Sequence, residues 1–390
     1  MELARRVRHL RAEGAYVVLA RAQELEAAGR SIVHFEIGQP DFTPPANVTL
    51  AGIRAIADGY VRYNPPAGIQ QLRAAIAEEV RRRNGLPVRP EQVVVGPGLK
   101  PNLFFAAAAL VEPGDEVIYP DPGFPSYEAL PAYLGAVGVP VALAEVRGFS
   151  LDLEAFHRAI GPRTRLVILN SPSNPTGGVI PRQDLEQIAA AARRHDFWVM
   201  SDEIYARLVY DGCPVPSIAT LPGMAERTIV LDGFSKTHAM SGWRLGYAVM
   251  PVELASVVQL QLMHVVGCTA HFTQYAGVEA LQGPQDEVEQ RLHEYRRRRD
   301  LLVEGLSAIP GIRCPRPAGA FYVFPNTQGL GRSSAELATY FLEEAGVALL
   351  PGTSFGSNGE GYLRLSYCTS LDNIREGIAR MRDAVRRLAG

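Results

Sequence analysis

A chain of 390 residues exceeds what one hydrophobic core usually supports, so two domains are expected, one of them large. Apolar residues at 47% and charged residues at 21% describe an ordinary globular protein and exclude a disordered or fibrous one. A net charge of −2 supplies no field to gather nucleic acid or anionic lipid, and neither partner is expected.

The longest apolar run, 103–111, has nine residues, about half of a bilayer span. The N-terminus MELARRVRHL is too charged for a secretory core, so no membrane association and a cytoplasmic location are expected. Four cysteines at 213, 268, 314 and 368 lie at least 46 residues apart, which excludes a CxxC metal or redox motif and points to four reduced thiols acting as small apolar side chains. The positive charge is carried by 37 arginines and only two lysines, Lys100 and Lys236. Each lysine therefore invites the question of what a guanidinium could not do in its place. An ε-amine can lose its proton and attack a carbonyl.

Taken along the chain, residues 1–30 read as a polar, Arg-rich amphipathic helix closing at Gly29. A Pro-rich turn after Tyr63 leads into an amphipathic helix. From there, short β-rich runs at 91–95, 116–120, 138–143, 165–170, 197–202 and 228–233 alternate with helical segments at 99–110, 125–134, 151–160 and 183–196. This alternation is the signature of a mostly parallel sheet with helices on both faces. A long charged helix follows at 284–307, its run Arg296 to Arg299 reading as a solvated face. The chain then gives a short strand region at 321–324, a helix near 333–344, a strand at 362–367 and a terminal helix from 371. The expected fold is α/β: a large domain over 45–285, and a small α+β domain built from both termini, 1–44 and 286–390. Ligands of such sheets bind beyond the carboxyl ends of the strands.

Lys236 falls at such an end. In LDGFSKTHAMSGWRLGYAV, 231–249, a strand stops at Gly233, and Ser235, Lys236 and Arg244 follow before the next strand, a grouping that could hold a phosphate beside a reactive amine. The segment resembles the Schiff-base motif of the class I/II aminotransferases, pyridoxal-phosphate enzymes of fold type I. That resemblance implies that Lys236 carries pyridoxal 5'-phosphate and moves the proton between the substrate α-carbon and the cofactor, while Ser235 and Arg244 bind the phosphate.

Further segments resemble the same family, in the order in which the family has them. SDEIY, 201–205, ends a buried strand. An Asp after a strand is by itself a turn or cap residue, but 34 residues ahead of Lys236 it matches the family's pyridinium partner, making Asp202 that group and Tyr205 a donor to the ring 3′-oxygen. NSPSNPTG, 170–177, resembles the loop whose second Asn, Asn174, bonds the same oxygen. GPGLK, 96–100, resembles the phosphate loop, with Gly98, Leu99 and Lys100 in the contacting positions at a helix start. DPGF, 121–124, offers Phe124 as a stacking partner for a flat ring. YNPPAG, 63–68, resembles the segment whose Tyr reaches the neighbouring subunit's cofactor phosphate, so Tyr63 implies a homodimer with shared active sites. EIGQPDF, 36–42, and YLRLSYCT, 362–369, come from opposite ends of the chain. The resemblance has Arg364 grip the substrate α-carboxylate and Gly38 offer its backbone N–H.

The sequence departs from the pattern at Gln39, where Glu is common, and at His238, where an aromatic is common. Lys100 matches a lysine that senses the distal carboxylate of acidic substrates in one bacterial subgroup, yet Glu13 and Ala15 replace that subgroup's Ser/Thr pair. Two readings of Lys100 stand: a side chain that recognises a second substrate carboxylate, or a solvated one of which only the backbone matters. The implied activity is transfer of an amino group between an L-amino acid and a 2-oxo acid by a ping-pong route, with no metal. A lyase on the same scaffold, a carbon–sulfur β-lyase or a cyclopropane-carboxylate synthase, is the alternative. A ligand-sensing module without turnover is a third reading, against which weighs the lack of a DNA-binding extension ahead of the small-domain segment.

Overall fold

The computed structural model describes residues 2–8 and 10–389. Its strands are β1 (Val33–His34), β2 (Val93–Gly96), β3 (Glu116–Asp121), β4 (Val137–Ala144), β5 (Ser150–Leu151), β6 (Thr164–Asn170), β7 (Trp198–Asp202), β8 (Thr228–Gly233), β9 (Gly246–Val249), β10 (Tyr322–Val323), β11 (Val347–Ala348), β12 (Leu350–Pro351) and β13 (Leu363–Ser366). Eight of them form one sheet in the order β2-β9-β8-β7-β6-β3-β4-β5. Pairing is parallel from β8 through to β4, and only β9 and β5 run against the rest.

The inner strands read as near-continuous apolar runs because both faces are covered. Successive side chains point to opposite sides. Leu166 and Ile168 of β6 therefore pack with Leu103, Ala106 and Ala107 of the helix Leu99–Leu110. Their neighbours Val167 and Leu169 pack with Leu185, Ile188 and Ala189 of the helix Arg182–His195. In parallel register Asn170 lies beside Asp202, and Asp202 beside Leu231, so the carboxyl ends of β6, β7 and β8 open at one edge of the sheet.

The terminal segments build two smaller sheets, β1-β11 and β10-β13-β12. They share a core with the helices Asp286–Ser307, Ser334–Ala345 and Leu371–Ala389. The fold is therefore α/β with a smaller α+β part made from both termini, as expected. Among the described residues no helix is long and apolar enough to cross a membrane, no group of side chains could hold a metal ion, and all four cysteines are free.

Two expectations are corrected. The first α-helix spans Gly14–Ala27, not 1–30, and only a 3₁₀ turn at Arg5–Val7 precedes it. Among the described residues from 2 to 12 only Val7 is even half-buried, so that stretch has no packing to repay the cost of helix formation. The run Arg296 to Arg299 is not one solvated face. Arg298 and Arg299 are 5% and 1% exposed. Arg298 pairs with Asp41 at 2.8 Å and Arg299 with Asp211 at 2.7 Å, the latter lying 4.6 Å over the ring of Tyr210. Helical rotation turns half of the run inward, and planar guanidinium groups tolerate burial when both stacked and paired.

Candidate active site

Lys236 leaves the turn after β8 and donates from Nζ to the carbonyl of Gly38 at 2.6 Å, joining the sheet edge to the N-terminal segment. The rings of Tyr205 and Phe321 lie 5.9 and 5.6 Å from the amine. Burial pushes its pKa down to about 8, and the positive charges of Arg364 and Lys100 act in the same direction. An amine so tuned is partly unprotonated near neutrality and can attack a carbonyl.

Asp202 ends β7, where its carboxylate accepts from the hydroxyl of Tyr127 at 2.6 Å and from the backbone N–H of Ile204 at 3.2 Å. Burial raises its pKa to about 6 in spite of those bonds. The side chain of Asn170 donates to the Asp202 carbonyl at 3.1 Å and accepts from the backbone of Asn174 at 2.8 Å, which fixes the turn. Asn174 Oδ1 is buried and has no hydrogen-bond partner, a costly state for a polar atom. The hydroxyls of Tyr205 and Tyr322 are hydrogen-bonded at 2.9 Å.

The turn before the helix Leu99–Leu110 forms a cradle. Gly98 has φ +94°, and the first N–H groups of the helix have no intrahelical acceptor. A Cβ on Gly246 of β9 would lie 2.6 Å from the Gly98 carbonyl carbon and 2.7 Å from the Leu99 nitrogen, so only glycine lets the strand reach this turn. Arg244, with φ +53°, donates to the Ser241 carbonyl at 2.9 Å and to that of Pro97 at 3.4 Å, which places its guanidinium beside Gly98. Backbone N–H groups, a helix dipole and a guanidinium together suit a phosphate. Ser235 stands next to Lys236, half-buried.

The opposite wall comes from the terminal segments. Arg364 of β13 is 3% exposed and donates to the Glu36 carbonyl, with its guanidinium over Tyr322 and Phe355 at 4.7 and 5.1 Å. Its Nε is buried without a partner. A Cβ on Gly38 would collide with the Tyr322 hydroxyl. Arg364 shares a small cavity with Asn174, Phe124, Phe355 and Glu13. Lys100 lies 4.9 Å from the centre of the Phe124 ring and forms an ion pair with Glu13.

Contacts thus join Lys236 to Gly38 and Tyr205, Tyr205 through Tyr322 to Gly38 and Arg364, Asp202 through Asn170 to Asn174, and Lys100 to Phe124, while Phe124, Asn174 and Arg364 line one cavity and Arg244 stands beside Gly98. Tyr63 does not join them, since its side chain is 95% exposed. Sequence reasoning missed Tyr127, Asn170 and Tyr322, the side chains that hold Asp202, Asn174 and Tyr205. Tyr127 stands three residues after Phe124 on a helix whose periodicity alone reads as core packing, and Tyr322 sits in a two-residue strand. Asn170 opened the quoted NSPSNPTG string but carried no role.

A family model described as "Aminotransferase class I and II" matches residues 30–381. The chain is 42% identical over 381 residues to the aspartate/prephenate aminotransferase of Thermus thermophilus, covering 97% of each chain. It is 38% identical over 353 residues to aromatic-amino-acid aminotransferase 2 of Thermococcus litoralis, covering 90% of each. Among solved structures, aspartate aminotransferase from Thermus thermophilus with maleate superposes with a TM-score of 0.93 at 40% identity, covering 98% of this chain and 100% of that one.

Proposed function

Because the chain belongs to the class I and II aminotransferases, we propose that it moves an amino group from an L-amino acid to a 2-oxo acid by a ping-pong route, using pyridoxal 5'-phosphate held on Lys236. The observation that carries this reading is the half-buried Lys236 amine, with its pKa pushed down to about 8 and the Asp202 carboxylate among the charges acting on it. The orphaned Arg364 Nε, a donor without an acceptor, and the glycine-walled cradle at Gly98 both fit a phosphorylated, anionic guest.

The chemistry supplied by pyridoxal phosphate, when bound, is an aldehyde that condenses with amines and a ring that accepts the electrons released at the substrate α-carbon. Gly98, the backbone of Leu99 and Lys100, Ser235 and Arg244 would hold its phosphate, and Phe124 would cover one face. Asp202 would keep a proton on the ring nitrogen, held in place by Tyr127. Tyr205 and Asn174 would donate to the 3′-oxygen, with Tyr322 orienting the Tyr205 hydroxyl. Lys236 would take the proton from the substrate α-carbon and hold it for return to the cofactor. Arg364 and the N–H of Gly38 would bind the substrate α-carboxylate.

We take residues 45–285 as the cofactor-binding unit and 1–44 with 286–390 as the unit that brings Gly38 and Arg364 over it, supported by the division of the strands into separate sheets. Tyr63 is read as serving the partner subunit's site in a homodimer. Four free thiols fit a reducing cytoplasmic compartment. Borohydride treatment of the cofactor-loaded protein should fix the label on Lys236, and Lys236→Ala should abolish both the colour and the exchange of amino groups. A label on another peptide, or turnover without any oxo-acid acceptor, would overturn the reading.

A further inference from the structure

Beyond the groups assigned above, one charged contact in the crevice has no role. Glu13 immediately precedes the helix Gly14–Ala27 with extended backbone, φ −65° and ψ 128°, and caps nothing. Its carboxylate is bonded to the Nζ of Lys100, one of only two lysines in the chain. The start of that helix packs closely on Ser354, whose hydroxyl would lie 2.5 Å from a Cβ on Gly14. Glu13 lines the cavity together with Arg364, Asn174, Phe124 and Phe355. The Lys100 ammonium stands against the Phe124 ring of this cavity, so the wall beside Phe124 carries a second cation in addition to Arg364.

We propose that Glu13 is a specificity-determining residue that occupies Lys100 in place of a substrate carboxylate, so that the site favours amino acids with uncharged side chains over aspartate and glutamate. The inference rests on Arg364 taking the α-carboxylate, as in the reading above. With that group on Arg364 and the amine at Lys236, the substrate side chain is left to face the Glu13, Lys100 and Phe124 wall. An uncharged side chain meets the ring of Phe124 and a neutralised ion pair. A second carboxylate must either displace Glu13 or stand beside it, where like charges repel. Lys100 and Glu13 are 50% and 29% exposed, so solvent screens the contact and the bias is moderate, about tenfold.

Binding of succinate and of propionate to the cofactor-loaded enzyme, followed by calorimetry, isolates the distal carboxylate. Glu13→Gln should tighten succinate about tenfold and leave propionate within about twofold, with kcat/KM for aspartate rising in parallel against that for phenylalanine. Adding Lys100→Gln should remove the gain, and Glu13→Ala should reproduce its direction. A succinate-to-propionate ratio that Glu13→Gln leaves unchanged or lowers, or a wild-type enzyme that prefers aspartate to every uncharged amino acid, would overturn the proposal. Because succinate binding requires no turnover, failure of transamination itself would be seen separately.

Discussion

At the scale of single residues, the site holds its ionisable groups away from their ordinary protonation states, and this has a thermodynamic signature. Asp202 has a folded-state pKa of about 6 because it is buried, against an ordinary carboxylate value of 3.8. The folded state therefore binds the proton more tightly than the unfolded chain does. Stability falls as pH rises through the window from about 4 to about 6, and the full penalty, up to about 3 kcal/mol, is in place above it. Asp202→Asn carries no such charge. The cofactor-free variant should melt at a higher temperature than wild type at pH 7.5, with the gap closing below pH 4, while its transamination rate falls by about 100-fold or more. A wild type that is the more stable protein at pH 7.5 would contradict this account of the carboxylate. Behind the site, Arg83 lies 2.6 Å from Asp232 and 3.4 Å from Glu203, so two further buried carboxylates at the ends of β7 and β8 are compensated.

At the scale of elements, the decisive contact is between β9 and the turn that starts the helix Leu99–Leu110. Gly246 pairs with Gly96 and Gly233 on either side, and its missing side chain leaves room for the Gly98 carbonyl. The colliding atoms are backbone, so no rotamer change relieves them. Gly246→Ala should push the turn away from Arg244 and weaken retention of pyridoxal phosphate on dialysis by about tenfold or more, at a stability cost of about 1–3 kcal/mol. Retention equal to wild type would mean that the cradle is not set by this packing.

For the whole molecule, the apolar surface of the segment 50–63 bears on the proposed homodimer. Leu50, Ile53 and Ile56 of the helix Ala46–Ala57 are 54%, 56% and 50% exposed, and the segment ends in Val61 and the fully projecting Tyr63. Apolar side chains gathered on one outward stretch mark an interface. In the proposed homodimer, Ile53→Glu should convert the protein to monomers by light scattering. It should also loosen the cofactor, because the partner's Tyr63 is lost with the interface. A wild-type monomer, or an unchanged dimer in the variant, would remove this surface from the argument.

The order of strands and helices, and the arrival of Lys236, Asp202 and Asn174 at strand ends, were legible along the chain because periodicity and turn chemistry are local properties. The scarcity of lysine marked Lys236 for the same reason, composition being visible without a fold. What the chain alone could not disclose are pairings between distant positions. Tyr127 reaches Asp202 across 75 residues and Glu13 reaches Lys100 across 87, with no spacing to record either partner. The two-residue strands β1, β10, β11 and β12 are too short to carry a period, and they exist because tertiary packing brings their partners alongside. Likewise the inward turn of Arg298 and Arg299 depends on Asp41, Asp211 and Tyr210 being delivered from elsewhere, since burial of a charge is decided by what surrounds it.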